Sequence, residues 1–246
     1  GSRNRGDEVM AKCKWCGEGG LLSSTDKHGL CSRCHLQIIP YVPQVWRIIQ
    51  ESNQLVETSK KWETRLSRCG LMLEKLEELI QYERKGLSFT SPSASVLFAQ
   101  VQQTRQAVVN DAIREIYEDA RAKAEMATIP SGKVGAANKG ALKLRDLAKQ
   151  VGMSPAIEAA AGQLRAYAHQ NQFRAFIDAA QKAEFKGNMK KALDQYQEAL
   201  YFLKTDAIDD AQQAKSISQL EAKVADLKTQ ASTSKSATSR KPQRIE

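Results

Sequence analysis

The sequence predicts a mainly helical chain with a small cysteine-rich module at its head. Three observations carry that prediction. Two Cys-x-x-Cys pairs, Cys13/Cys16 and Cys31/Cys34, stand close together near the start. After residue 43, Ala, Gln, Lys, Glu and Leu dominate and aromatics make up only 6% of the whole chain, as in helices with narrow contact seams. Helix stop and start signals (Gly86, Ser91-Pro92, Ser154-Pro155 and Gly187-Asn188) then cut the rest into segments of helical length. The 246 residues suffice for one large domain or two to three small ones.

The module occupies residues 11–42, after a flexible stretch at 1–10. Met10 reads as a natural start and Gly1-Ser2 as a remnant of expression, which leaves no room for a signal peptide. Each Cys-x-x-Cys pair puts two thiolates on one tight turn. Two such turns brought together make the tetrahedral sulfur cage that zinc prefers, so Cys13, Cys16, Cys31 and Cys34 are the expected ligands of a structural Zn²⁺. Gly17 can take a positive φ and turn backbone N–H groups toward the sulfurs. Leu21 to Ser24 and Leu30 to Cys31 form two short strands around the polar turn Thr25 to Gly29, and the second pair leads into a helical turn at Leu36 to Ile39.

Knuckle, hairpin, then knuckle at a helix start resembles the treble-clef class of zinc fingers, a class that serves nucleic-acid binding, protein binding and pure structure. Iron in a rubredoxin-like cage fits the same four ligands. Cys31-Ser32-Arg33-Cys34-His35 also spells the haem-attachment string, but that reading leaves the first pair unexplained. A redox dithiol lacks its βαβ surroundings. His28 and His35 are then supporting or surface residues rather than ligands. Trp15 is either a shield over the metal or a partner contact, and Lys12, Lys14 and Arg33 are the polar candidates for partner binding beside it.

Residues 43–127 read as a long antiparallel helical hairpin or coiled coil. Pro43 suits the first position of a helix, and a seam runs Ile48, Ser52, Leu55, Ser59, Trp62, Leu66, Cys69, Leu73, Leu76, Ile80 in alternating steps of four and three. One helix over 43–85 would be about 65 Å long. Gly86 stops it, and Ser91-Pro92 starts the next, with Ala94, Phe98, Val101, Val108, Ala112, Ile116 and Ala120 on one face. A two-helix hairpin buries little surface, so a further helix or a homodimer partner is expected to complete it.

Residues 128–140 read as a basic linker. Its glycines and lysines do not make a phosphate loop, because no Gly-x4-Gly-Lys-Ser/Thr is present and no strand precedes it. A helical bundle follows over 141–230, with short helices near 140–151 and 155–170. Within it, Phe176, Ala179, Ala180 and Ala183 mark one helix, Gly187-Asn188 a turn, and Ala192, Tyr196, Ala199 and Leu200 a second helix. Over 173–206 this resembles one tetratricopeptide repeat, although Lys204 stands where that family has its proline. The same spacing also fits a plain helical bundle. The resemblance implies a peptide-binding concave face on which Ile177, Gln181, Glu184 and Phe185 are candidate contacts. A helix at about 206–230 caps the stack through Ile217, Leu220, Val224 and Leu227, and a disordered basic tail is expected at 231–246.

Charge and motif content bear on function. The net +9 is uneven: 129–150 and 211–246 each carry +4, while the long helical segments are nearly neutral, which argues only weakly for nucleic acid. No metalloprotease or nucleophile motif surrounds any of the three histidines, and the acids fall mostly at ion-pair spacings on helix faces. The expectation is therefore a non-enzymatic, cytoplasmic adaptor or assembly protein without a membrane segment, docking protein partners through the zinc module and the repeat-like bundle. The alternative is a nucleic-acid-associated regulator using the lysines and arginine around the cysteines.

Overall fold

A computed structural model describes residues 12–19, 24–206 and 208–238, with side chains to residue 230. It is mainly helical, and no strand occurs among the described residues. The chain divides into two units, Gly1–Arg114 and Glu115–Glu246, with the boundary inside one helix.

The first unit holds α1 (Ser32–Ile38), α2 (Tyr41–Thr58), α3 (Trp62–Arg84) and the first part of α4 (Ala94–Met126). The expected single helix over 43–85 is instead two. Ser59 is extended, its hydroxyl accepts from Lys61 N–H at 3.2 Å, and this side-chain turn in a polar Ser-Lys-Lys run ends α2. α2 then folds back along α3, where the Tyr41 hydroxyl donates to Glu78 at 2.6 Å. The reversal also changes the buried face. α2 buries Val45, Ile49, Ser52 and Val56, leaving Leu55 37% exposed, whereas α3 buries Leu66, Cys69, Met72, Leu76 and Leu79. Heptad spacing persisted across a turn that heptad spacing cannot see.

The start of α4 is capped from another helix. The Glu83 carboxylate of α3 accepts from the N–H groups of Ala94 and Ser95, so Ser91-Pro92 lies in the loop before the helix rather than at its first position. Arg65 of α3 pairs with Asp111 of α4 at 3.6 Å, which ties the third helix of the unit to its neighbour.

The second unit runs from the rest of α4 through α5 (Pro130–Val151), α6 (Pro155–Phe185), α7 (Met189–Thr205) and α8 (Asp210–Thr238), with α5 on α6, α6 on α7 and α7 on α8. The segment expected to be a linker, 128–140, is helical from Pro130 onward. Ala137, Gly140, Ala141, Leu144, Leu147 and Ala148 are buried at helical spacing, and that burial outweighs the low propensity of its glycines. A Cβ at Gly140 would strike Ala120 Cβ and come within 2.8 Å of Leu164 Cδ1, so α4, α5 and α6 meet at this residue.

α6 starts at the expected cap, with Ser154 Oγ accepting from Ile157 N–H and Pro155 in the first turn. It then continues unbroken to Phe185 instead of ending near 170, because neither Gly nor Pro occurs between Gly162 and Gly187. Gly187 takes φ +72° and Asn188 Oδ1 caps α7. Ala180, Ala183, Ala192, Tyr196 and Ala199 form the core with Ile217, Leu220, Val224 and Leu227 of α8. The expected disordered tail is helical as far as Thr238, and 239–246 lie outside the described residues.

Candidate metal centre

The site begins with two turns. Lys14 to Cys16 form the first, closed by Gly17 N–H donating to the Cys13 carbonyl at 2.8 Å with Gly17 at φ +75°. The second is the start of α1, where Cys31 is the residue before the helix and Cys34 lies in its first turn. The loop between them is organised by Asp26. One carboxylate oxygen accepts from His28 N–H and Leu30 N–H, each at 2.8 Å, and the other meets His35 Nδ1 at 2.5 Å. Gly29, at φ +83°, presents its carbonyl to Lys14 N–H and links this loop to the first knuckle. The cysteine spacing does not point to Asp26; its place in the polar turn, three residues before Gly29, is the local signal for it.

These contacts bring the Sγ atoms of Cys13, Cys16, Cys31 and Cys34 within 4.8 Å of one another, with Cys16 and Cys31 at 3.9 Å. A tetrahedral zinc with Zn–S bonds of about 2.3 Å requires sulfur separations of about 3.8 Å, so the cluster fits a single ion after small adjustment. The donor set is all sulfur, which suits zinc or iron and not magnesium or calcium. Electrostatics point the same way. Burial pushes the Cys13 thiol up, but the N–H groups of Cys16, Cys31 and Trp15 outweigh it and bring the pKa down to about 6. Cys34 is pushed up to about 12 by burial and by the neighbouring sulfurs. Four thiolates this close resist joint ionisation, and a dication among them would relieve that resistance.

His35 engages Asp26, and no other protein ligand is needed. The carboxylate of Asp26 is held down to about 2, mainly by His35 and then by Leu30 N–H. The two expected strands are not both testable, since 20–23 lie outside the described residues, and Leu30–Cys31 is not a strand.

The module is seated on the end of α3. Cys13, Leu30, Cys34 and Ile38 share a buried cluster with Leu87. Trp15 is half-buried, its ring 4.9 Å from that of Tyr82, and Tyr82 in turn meets Phe89 edge-on. Lys14 Nζ donates to the Gly86 carbonyl at 3.2 Å. Of the candidate partner contacts here, Trp15 and Lys14 thus hold the module to its own chain, whereas Lys12 and Arg33 are exposed and form no ion pair among the described residues.

The other candidates lie apart in the second unit. Ile177 packs against the α6–α8 core, and Glu184 accepts from the Tyr196 hydroxyl at 2.8 Å and pairs with Lys223 at 2.6 Å. Gln181 is exposed, and Phe185 is 93% exposed at the end of α6. No described helix is long and apolar enough to cross a membrane. No family model, curated protein or solved structure matches the chain, so the arrangement of its own residues is the basis for a functional reading.

Proposed function

We propose that the chain is a non-enzymatic adaptor whose four cysteines hold a structural zinc ion in a treble-clef-like module. The observation that carries this reading is the closed all-sulfur donor set: four thiolates fill a tetrahedral shell and leave no position for a substrate or activated water. The module's inward contacts to Tyr82, Gly86 and Leu87 support a role in fixing the head of the first unit. Docking then falls to the exposed side around Lys12 and Arg33 and to the tetratricopeptide-like pair formed by the second half of α6 with α7. Cytoplasmic residence follows from the need to keep four thiols reduced.

Affinity capture from the source cell, with mass spectrometry, tests the adaptor reading. Wild type is expected to retain a discrete protein set, part of which is lost in Cys13→Ser/Cys16→Ser while α5–α8 stay folded. Retention of nucleic acid alone, released by nuclease and by salt, would contradict it in favour of a regulator that binds through Lys12 and Arg33.

A further inference from the structure

α5 and α6 lie antiparallel. Gly140 meets Leu164, so the first turn of α5, at Lys133, comes level with Asn171. Beyond that point α6 continues to Phe185 with no residue of α5 left to cover it, while Ala180 and Ala183 turn toward α7 and α8. The uncovered flank is hollow. A depression of about 660 Å³ is lined by residues that include Lys133, Tyr167, Asn171, Arg174, Ile177 and Gln181. A second, of about 400 Å³, shares Asp178 and Gln181 with it and ends at Phe185. Together they make one trough.

Its charge is one-sided. Lys133, Arg174, Lys182 and Lys186 border it against a single acid, Asp178, and none of these five forms an ion pair among the described residues. Unpaired cations along a concave surface select an acidic ligand. The side-chain amides of Gln170 and Gln181 offer the donor and acceptor pairs that a peptide backbone needs, while the Asn171 amide donates to the Tyr167 carbonyl at 2.8 Å. Half-buried Ile177 and the exposed ring of Phe185 offer apolar contact. A nucleic-acid strand fits less well. Of the three aromatic rings along the trough only Phe185 has free faces for stacking, since Arg121 covers the Tyr167 ring at 4.3 Å and Phe173 packs into the core, and Asp178 repels phosphate.

We propose that this flank of α6, from Lys133 to Phe185, is the docking groove for an extended acidic peptide segment of a partner protein that also carries apolar side chains. The proposal rests on the adaptor reading and gives its partner a chemistry. The test is fluorescence anisotropy on the full chain with three fluorescein-labelled probes of equal length: alternating Asp/Leu, alternating Lys/Leu, and oligothymidylate. The Asp/Leu peptide is expected to bind. Its affinity should fall about tenfold in Lys133→Glu or Arg174→Glu, fall several-fold in Phe185→Ala, and stay unchanged in Lys149→Glu at the far end of α5. Lys149, Arg174 and Phe185 are exposed and Lys133 is half-buried, and unchanged melting curves would exclude unfolding as the cause. Equal binding of the Lys/Leu peptide, tighter binding of oligothymidylate, or indifference to Arg174→Glu would overturn the groove. If no peptide binds while Arg174→Glu still captures native partners, the groove is rejected and the adaptor reading survives.

Discussion

The carboxylate of Asp206, at the end of α7, lies 2.5 Å from Nε2 of His169 in α6. Asp206 also accepts from Ile208 N–H at 2.8 Å and from the Gln213 amide at 3.0 Å, while the His169 ring stacks on Phe202. One side chain therefore joins α6, the α7–α8 loop and α8. Burial pushes the Asp206 carboxyl up, but His169, Ile208 N–H and Gln213 together hold it below its ordinary value of 3.8.

The sign of the pH dependence follows. A depressed carboxylate contributes stability that is present above its unfolded pKa and lost as pH falls through the lower folded value. Asp206→Asn should cost about 1.5–3 kcal/mol at neutral pH, the range for hydrogen bonds to a buried charge. Urea unfolding of wild type and variant should show a difference at neutral pH that shrinks as pH falls below about 4. A difference that persists undiminished into strong acid would assign the stabilisation to packing instead.

Glycine substitutions at two helix positions should have opposite signs. At Gly140 a new methyl collides with Ala120 and Leu164, an overpacking cost of about 1–3 kcal/mol that exceeds the gain in helix propensity. At Gly162 a Cβ would meet nothing within 4 Å, so Gly162→Ala should stabilise by about 0.5–1 kcal/mol. Thermal melts of the two variants decide this, and stabilisation by both would show that α4, α5 and α6 are not in close contact.

Much of this architecture could be read from the chain, and the failures have physical causes. The cysteine spacing, the Ser154 cap and the Gly187-Asn188 turn are local signals, and each sits where its chemistry demands. The α2–α3 reversal was hidden because Ser59 occupies a seam position and ends the helix through its own hydroxyl. α5 was hidden because its glycines signal a loop locally, while Gly140 is needed for close approach of two other helices. The role of Asp26 depends on three groups, the N–H groups of His28 and Leu30 and the His35 ring, that only the folded loop brings to it.

The seating of the metal module on α3 is separately testable. Trp15→Ala removes the ring pair with Tyr82, worth about 0.5–1.5 kcal/mol beyond its buried area. Trypsin cleavage after Lys14 and Arg33 in the zinc-loaded protein should accelerate accordingly, while cleavage within α6 should not. Unchanged cleavage would mean that the module is held by the metal alone.

Cys13, Cys16, Cys31 and Cys34 are proposed to hold one structural zinc. Elemental analysis of the purified full chain, with cobalt substitution read by absorption, tests it most directly. One equivalent of zinc is expected, with a cobalt spectrum of a tetrahedral four-thiolate site, and both should be lost in Cys34→Ser. A metal-free chain that remains fully folded, or stoichiometric iron, would contradict it.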